Sequence, residues 1–346
     1  MVVKIYPYLG EQNIGVEAPE NILDRVEGNI DENAIDERVY DGIVRAWEGE
    51  LRTIERDKTA KYISTRKNTE REIEGCDYLR YRTHVQTIWR RNDFEYEVQN
   101  HLSNDETGVL KCFKKVYYML PKSQDKTLLH ATAVDVAGKG ILFIGKKRAG
   151  KTSLAFSMID RLGASLVEGG NSLVSFNNGL RVYYLPRPIF ARFVTIAESA
   201  YLNILLEDIE KTEAQQPWDI EAIHEIIRTR AFCVDGGLNF SRRAFGRLSG
   251  KRALSTSMVK TIVFPSYSGG GVVKVNSISI EEAYKRLVER EYKRDTALGK
   301  VQDQDHLEHP QESIVRIEWL ERLKLKEVSF NGSKDITNSL LDDLVA

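Results

Sequence analysis

The chain has 346 residues, of which 42% are hydrophobic and 9% aromatic, and this composition supports a globular protein with a real core. Its 50 basic and 51 acidic residues leave a net charge of -1, so the charge of the whole chain indicates no polyanionic partner. The first residues lack the pattern of a signal peptide, and no run approaches the roughly 18 apolar residues of a membrane span. We therefore expect a soluble, cytoplasmic protein with no membrane partner.

The three cysteines, Cys76, Cys112 and Cys233, are widely spaced and form no CxxC pair. An odd number of cysteines without that spacing argues against both a disulfide framework and a zinc site. We expect ordinary thiols that are buried or partly exposed.

The first 125 residues predict an α+β module. Residues 1–40 contain nine acidic and three basic side chains, and dense mixed charges follow to about residue 75. Residues 78–101, YLRYRTHVQTIWRRNDFEYEVQNH, alternate aromatic or branched residues with polar ones, as half-buried strands do, and RND is a candidate turn. The polar stretch 121–127 marks the expected end of the module.

Residues 126–300 predict an α/β domain that contains a strand, a loop and a helix in that order. ATAVDV and GILFIG are short apolar runs joined by a glycine turn, and TSLAFSMIDRLG carries apolar residues at helical spacing. LRVYYLP and TIVFPSY read as further strands, and DIEAIHEIIRTRAF and SIEEAYKRLVEREYKRD as amphipathic helices. Residues 296–313 predict a polar linker, and residues 301–346 a closing strand and helix that pack on this domain.

The loop between strand and helix satisfies the pattern G-x-x-x-x-G-K-[ST], which is typical of nucleotide phosphate binding. Two glycines allow turns that bring backbone N–H groups toward phosphate oxygens, a lysine reaches the outer phosphates, and a hydroxyl serves Mg²⁺. The predicted nucleotide-binding residues are Gly145, Lys146, Lys147, Arg148, Ala149, Gly150, Lys151, Thr152 and Ser153. The three cations within the loop either help to neutralise a triphosphate or an anionic acceptor, or are solvated surface charges.

The segment LLHATAVDVAGKGILFIGKKRAGKTSLAFSMIDRLGASLVEGGNSLV resembles the HPr kinase/phosphorylase family, in which a histidine on a strand precedes the loop as His130 does here. GLRVYYLPRPI and VKTIVFPSYSGGGVVKVNSISIEEAYKRLVER resemble later segments of the same family, so the likeness covers roughly residues 126–295. The resemblance implies a P-loop kinase domain of the HPr kinase / PEP carboxykinase-like type. It also implies transfer of the γ-phosphoryl group of ATP or GTP, with Mg²⁺, to a hydroxyl of a protein serine or a small molecule.

The sequence departs from the family at the aspartate pair that follows the loop helix, since the corresponding positions fall within Gly169, Gly170 and Asn171. Three alternatives stay open. Glu168 acts as the base, with Asn171 as a neutral metal ligand; or the carboxylate comes from elsewhere, with Asp135, Glu198 and Asp235 as candidates; or the domain binds a nucleotide without catalysis.

His130 also has two interpretations. On the family resemblance it lies beside the phosphates and donates a hydrogen bond to the transferring group. Otherwise it is a core histidine whose ring nitrogens bond to the backbone.

Residues 228–260 hold eight basic side chains against Asp235 alone, a local balance of +7. Arginine suits bidentate phosphate contacts, which makes Arg242, Arg243 and Arg247, with Arg187 upstream, candidates for anion or acceptor binding. Phe240 and Phe245 are spaced so that they could stack on a base. The alternative is a flexible, solvated loop or one that pairs with the acidic first 40 residues.

The sequence thus predicts a nucleotide-dependent kinase whose N-terminal module shapes the acceptor site, with a homo-oligomer as a candidate assembly. The predicted roles are His130 near the γ-phosphate, Lys151 on the phosphates, Thr152 on Mg²⁺ and Glu168 as base. The alternatives are a non-catalytic nucleotide sensor or assembly protein, and a kinase that acts on a hydroxyl of nucleic acid.

Overall fold

The chain forms a mixed α/β structure with two main β-sheets. The computed structural model describes residues 2–8, 12–28, 30, 41–48, 61–65, 70–72, 80–82, 86–92, 95–100, 107–119, 126–176, 179–200, 237–243, 245, 253–267, 273–292, 315–330 and 335–346. Within these ranges, no helix is long and apolar enough to cross a membrane.

The N-terminal sheet has six strands in the order β1-β2-β3-β8-β7-β4, while β5 and β6 form a separate ribbon. The strands are β1 (Val2–Tyr8), β2 (Gln12–Ala18), β3 (Gly42–Glu48), β4 (Lys61–Thr65), β5 (Glu70–Glu72), β6 (Arg80–Arg82), β7 (Gln86–Asn92) and β8 (Glu95–Asn100). The middle pairs β2-β3 and β3-β8 are parallel, and the outer pairs are antiparallel.

Two helices belong to this sheet, α1 (Glu20–Glu27) and α2 (Thr107–Met119). Helix α2 buries Val109, Phe113 and Val116, which recur at helical spacing and share one core with the sheet. The rings of Tyr6 and Phe113 meet edge to face, with 6.2 Å between their centroids.

The large sheet follows the path β12-β10-β11-β17-β14-β13-β9-β19, and β18 and β20 join it through β17. Its strands are β9 (Lys126–Leu129), β10 (Ala131–Val136), β11 (Lys139–Ile144), β12 (Ser165–Glu168), β13 (Ser172–Ser175), β14 (Arg181–Tyr183), β17 (Thr256–Tyr267), β18 (Lys274–Ser277), β19 (Glu291–Tyr292) and β20 (Lys324–Phe330), and a short pair is formed by β15 (Ile189–Arg192) and β16 (Gly237–Phe240). Strand β17 is central because it pairs in parallel with both β11 and β20.

Helices cover both faces of the large sheet. The described helices are α3 (Lys151–Leu162), α4 (Phe193–Glu198), α5 (Ile280–Val288) and α6 (Asn338–Val345), with a 3₁₀ turn at Ile317–Leu320. Ile141 and Phe143 of β11 pack with α3 and α6 on one face, whereas Leu142 and Ile144 pack with α5 on the other. Both faces are buried, which explains why these strands are continuous apolar runs.

The two sheets share a core. Leu128, Leu173 and Tyr184 of the large sheet's region pack in the same buried cluster as Tyr6 and Phe113. A second contact between the two parts is a backbone hydrogen bond of 2.8 Å, from the Arg243 N–H to the carbonyl of Gly28, which follows α1. The N-terminal part is therefore packed against the part that holds the glycine loop.

The predicted strands at 131–136 and 140–145 and the helix at 152–163 are confirmed as β10, β11 and α3. The helix predicted over 279–295 is shorter than expected. It ends at Val288, because Glu291 and Tyr292 pair with Leu129 and Leu128 as a strand instead. The predicted helix at 219–232 and the linker at 296–313 lie outside the described residues.

The glycine loop, residues 145–150, is shaped by its neighbours in the sheet. A side chain at Gly145 would stand 3.3 Å from the Pro265 carbonyl oxygen on β17. A side chain at Gly150 would overlap the ring of Phe330, at 2.1 Å, and its φ of +90° is one that side chains disfavour. Phe330 is the last residue of β20, so the C-terminal strand forms one wall of the loop.

We expect Gly150→Ala to lower the free energy of unfolding by about 3 kcal/mol, of which about 1 kcal/mol is backbone strain and the rest the clash with Phe330. Gly138→Ala is the matched control, because Gly138 also has a positive φ, of +84°, but has no atom within 4 Å of the added carbon. Urea unfolding of both variants measures the difference. Equal losses in the two variants would show that Phe330 does not press on the loop.

Candidate functional site

The glycine loop passes from the end of β11 to the start of α3 and wraps around one lysine. The Lys151 ammonium donates hydrogen bonds to the carbonyl oxygens of Gly145, at 2.8 Å, and Lys146, at 2.9 Å. Lys151 is only 6% exposed. The loop thus places a buried cation at the N-terminus of a helix, where the helix dipole already favours an anion.

The charge state of His130, which follows β9, depends on its burial and on the charges of nearby cations. Burial, together with the charges of Lys151, Arg290 and Arg187, lowers the pKa of His130 to about 4. Burial and the charge of Arg290 lower the pKa of Lys151 to about 8. At neutral pH His130 is therefore uncharged and Lys151 is mostly charged, so a ring N–H and several positive charges converge on one place.

The backbone fixes this convergence. The N–H of His130 donates to the carbonyl of Arg290 at 3.1 Å, which ties the segment after α5 to the junction of β9 and β10. The pairing of Glu291 with Leu129 continues the same connection. Arg290 carries no signal in the sequence, because nothing in a helical pattern indicates that the end of the helix returns to the strand before the loop.

Glu168, the last residue of β12, is 2% exposed and has both carboxylate oxygens engaged. One oxygen accepts from Gly169 N–H at 2.8 Å and from Arg187 at 3.0 Å (Nε) and 2.6 Å (Nη2), and the other accepts from Leu185 N–H at 2.7 Å. The carboxylate therefore fixes the direction of Arg187.

Gly170 has a steric reason to be glycine. A carbon atom added there would stand 2.9 Å from Nη2 of Arg187. An aspartate at this position would therefore displace the guanidinium from Glu168. Asn171 follows and is half-buried, and the next residue, Ser172, donates to the carbonyl of Ala131 at 3.1 Å, beside His130.

The other candidate carboxylates lie away from the loop where they are described. Asp135 faces Gly140 in the β10–β11 hairpin, four residues or about 13 Å along the strand from Ile144. Asp135 accepts there from Gly138 N–H and from the Ser257 hydroxyl. Asp235 lies outside the described residues.

Glu198 is exposed at the end of α4, and its neighbour Ser199 donates to Asp160 at 3.2 Å. Asp160 is nine residues beyond Lys151 on α3, about 13 Å along the helix. This contact places Glu198 toward the far end of α3 from the glycine loop.

Thr152 and Ser153 lie in the first turn of α3 and are half-buried. Among the residues that the structure describes, no group of three or more His, Cys, Asp or Glu side chains is arranged to hold a metal ion. The Thr152 hydroxyl still fits Mg²⁺ that arrives with a nucleotide, because such an ion takes most of its ligands from phosphate and water.

The basic segment contributes to the fold where it is described. Arg242 is 3% exposed, donates to the carbonyls of Val167 and Leu254 at 3.0 and 3.1 Å, and stacks over Tyr184 at 4.3 Å. Arg243 is exposed. The contact of Arg242 and Arg243 with an anion stays a prediction, and Arg247 lies outside the described residues.

Phe240 and Phe245 are part of the core. They are 0% and 3% exposed, and Phe245 meets Phe156 of α3 edge to face at 5.9 Å. The prediction that they stack on a base is wrong, because the core holds both rings.

A cleft of about 470 Å³ lies beside the loop. It is lined by residues 145–149 of the glycine loop, the end of β17 and one side of α5 with the residues after it. The lining residues are Ile144, Gly145, Lys146, Lys147, Arg148, Ala149, Phe264, Pro265, Ser266, Glu282, Lys285, Arg286, Glu289 and Arg290. The three loop cations are exposed, yet they face a shaped cavity.

Comparison with protein-family models and with curated proteins gives no match for this chain. The resemblance to the HPr kinase family and the kinase activity therefore stay predictions. The arguments for them come from the geometry above.

We expect the stability of the protein to fall, relative to a His130→Gln variant, as the pH decreases from 6.5 to 4. Over that range the unfolded chain binds a proton at His130 that the folded chain, with a pKa of about 4, does not bind. The difference reaches up to about 3 kcal/mol at the acid end. Urea unfolding at several pH values measures it, and parallel curves for the two proteins would mean that neither burial nor the neighbouring cations lower the pKa of His130.

We expect Glu168→Gln to lower the free energy of unfolding by about 3 kcal/mol, because it removes one partner of a largely buried ion pair. Glu282→Gln on α5 is the matched control, since its ion pair with Arg286 is far more exposed and its loss costs about 0.5 kcal/mol or less. Thermal unfolding compares the two variants. Similar small losses would show that Glu168 does not hold Arg187.

Proposed function

We propose that this chain is a phosphotransferase that moves the γ-phosphoryl group of ATP or GTP to a hydroxyl. The observation that carries the proposal is the meeting of the glycine loop, the N-terminus of α3 and the side chains of Lys151, His130, Arg187 and Arg290. A phosphoryl group in transfer carries charge on three outer oxygens, and this arrangement offers several donors and cations to it.

In the proposed complex the loop amides and Lys151 bind the β- and γ-phosphates. Lys151 would exchange its two bonds to loop carbonyls for bonds to phosphate oxygens, which would supply a negative counter-charge to its ammonium. Thr152, with Asn171 as a predicted neutral ligand, would hold Mg²⁺, whose chemistry when bound is to neutralise charge that develops on the phosphates.

In the proposed transfer the acceptor oxygen forms a bond to the γ-phosphorus, and the bond from that phosphorus to the β–γ bridging oxygen breaks. The nucleoside diphosphate leaves with the electron pair, and the acceptor hydroxyl loses its proton. Arg187 and Arg290 would contact the transferring group, and neutral His130 would donate its ring N–H to it.

The destination of the proton distinguishes two roles for Glu168. Its oxygens accept four hydrogen bonds, so its first role in the proposal is to hold Arg187 in position. As a base it would have to give up part of that pairing at the moment of transfer, and this role stays a prediction. A loose transition state requires little help from a base before the new bond forms.

A second candidate function is a nucleotide sensor without catalysis. It is favoured by the same engagement of Glu168, since both oxygens of this carboxylate already accept hydrogen bonds from the protein. The third possibility, a kinase that acts on nucleic acid, loses support because Phe240 and Phe245 are in the core.

We expect Lys151→Ala to weaken nucleotide binding by tenfold or more and to abolish turnover, because it removes the buried cation of the loop. Lys139→Ala is the control, because Lys139 is an exposed lysine at the other end of β11, about 16 Å along the strand. Binding is measured with a fluorescent ATP analogue, and turnover with γ-labelled ATP in the presence of fractionated cell extract.

The same assay separates the candidate functions. Transfer of label to protein, small-molecule or nucleic-acid fractions gives the acceptor class. Binding by the wild-type protein without any transfer would favour the sensor. Unchanged turnover in a folded Lys151→Ala protein would contradict both.

A further inference from the structure

The cleft beside the glycine loop is lined by six basic and two acidic side chains. Lys146 and Lys147 contribute from the loop and Lys285 from α5, and all three are exposed. The lining also includes Phe264 and Pro265, which are buried. Apolar lining beside these cations strengthens their field for an anion that enters.

The two carboxylates do not neutralise this excess. Glu282 pairs with Arg286 at 2.6 Å, and Arg286 also pairs with Glu327 of β20 at 2.9 Å. Glu289 stands 3.7 Å from Arg290, and its side chain is 51% exposed. The charge of Arg286 is therefore neutralised by carboxylates of the protein. The positive charge of Lys146, Lys147 and Lys285 exceeds the negative charge of Glu289, the other carboxylate that lines the cleft.

Arg290 connects the cleft with Lys151 and His130, which are not among the residues that line it. It lines the cleft, and its charge is close enough to Lys151 and His130 to lower the pKa of each. An acceptor bound in the cleft would thus lie next to the group that the proposed reaction transfers. Neither the loop motif nor the family resemblance identifies this cleft.

We propose that the cleft between the glycine loop and α5 binds the acceptor, and that the acceptor is a small hydroxyl compound carrying a carboxylate or phosphate group. This inference rests on the proposed function and adds the class of substrate. The volume of about 470 Å³ falls in the range of small-molecule sites. The anionic group pairs with Lys285 and the loop lysines, which leaves the hydroxyl toward Arg290.

The test uses 3-phosphoglycerate, which has a hydroxyl, a carboxylate and a phosphate, and glycerol as its uncharged counterpart. Each is titrated by calorimetry into the full chain saturated with Mg²⁺ and a non-hydrolysable ATP analogue. We expect 3-phosphoglycerate to bind and glycerol not to bind. Lys285→Glu should weaken 3-phosphoglycerate by about tenfold or more and leave the affinity for the analogue within about twofold.

Lys139→Glu makes the same charge change on an exposed lysine at the far end of β11, and it should alter neither affinity. Equal effects of the two substitutions would overturn the inference, because the effect would then reflect net charge alone. Equal binding of glycerol, or no binding of 3-phosphoglycerate to the loaded protein, would also overturn it. Exclusive labelling of proteins in the extract assay would contradict a small acceptor.

A titration without nucleotide distinguishes a failure of the proposed function from a failure of the proposed acceptor site. If the wild-type protein binds no nucleotide analogue, the proposed function fails, and 3-phosphoglycerate is then titrated into the Lys151→Ala protein without nucleotide. If the Lys151→Ala protein binds 3-phosphoglycerate and the double variant with Lys285→Glu does not, the cleft is an anion site. If the Lys151→Ala substitution abolishes binding, the anion binds in the glycine loop, and the proposal that the cleft binds it is wrong.

Discussion

The ion pair between Arg187 and Glu168 controls how the positive charges of the site are arranged. Glu168 ends a strand of the sheet and is buried, so the position of its carboxylate is fixed by the backbone. Arg187 is drawn to it, and the absence of a side chain at Gly170 leaves the room that the guanidinium occupies. The other cations, Lys151 and Arg290, then meet Arg187 around a neutral histidine.

Such a concentration of like charge works against the folded state. Burial and neighbouring cations make it harder for both His130 and Lys151 to carry charge, and an anion between them would relieve that repulsion. Strain of this kind is common at sites where the ligand completes the electrostatic balance.

The local part of this structure could be predicted from the sequence, and the long-range part could not. Apolar runs of fixed length and a glycine-rich motif define β11, the loop and α3, because those patterns depend on neighbouring residues only. Arg290 and Phe330 lie 145 and 180 positions beyond Gly145 and Gly150, and their approach depends on how distant strands pair. The prediction that Phe240 and Phe245 stack on a base was wrong for the same reason, since their spacing in the sequence does not reveal that both rings enter the core.

The packing of Phe330 against Gly150 also bears on how the protein is made. The wall that this ring gives to the loop comes from β20, which pairs with β17 near the end of the chain. During synthesis the loop and its helix leave the ribosome long before that strand does. The wall beside Gly150 is therefore complete only once β20 has paired with β17, so the shape of the loop depends on a strand more than 170 positions further along the chain.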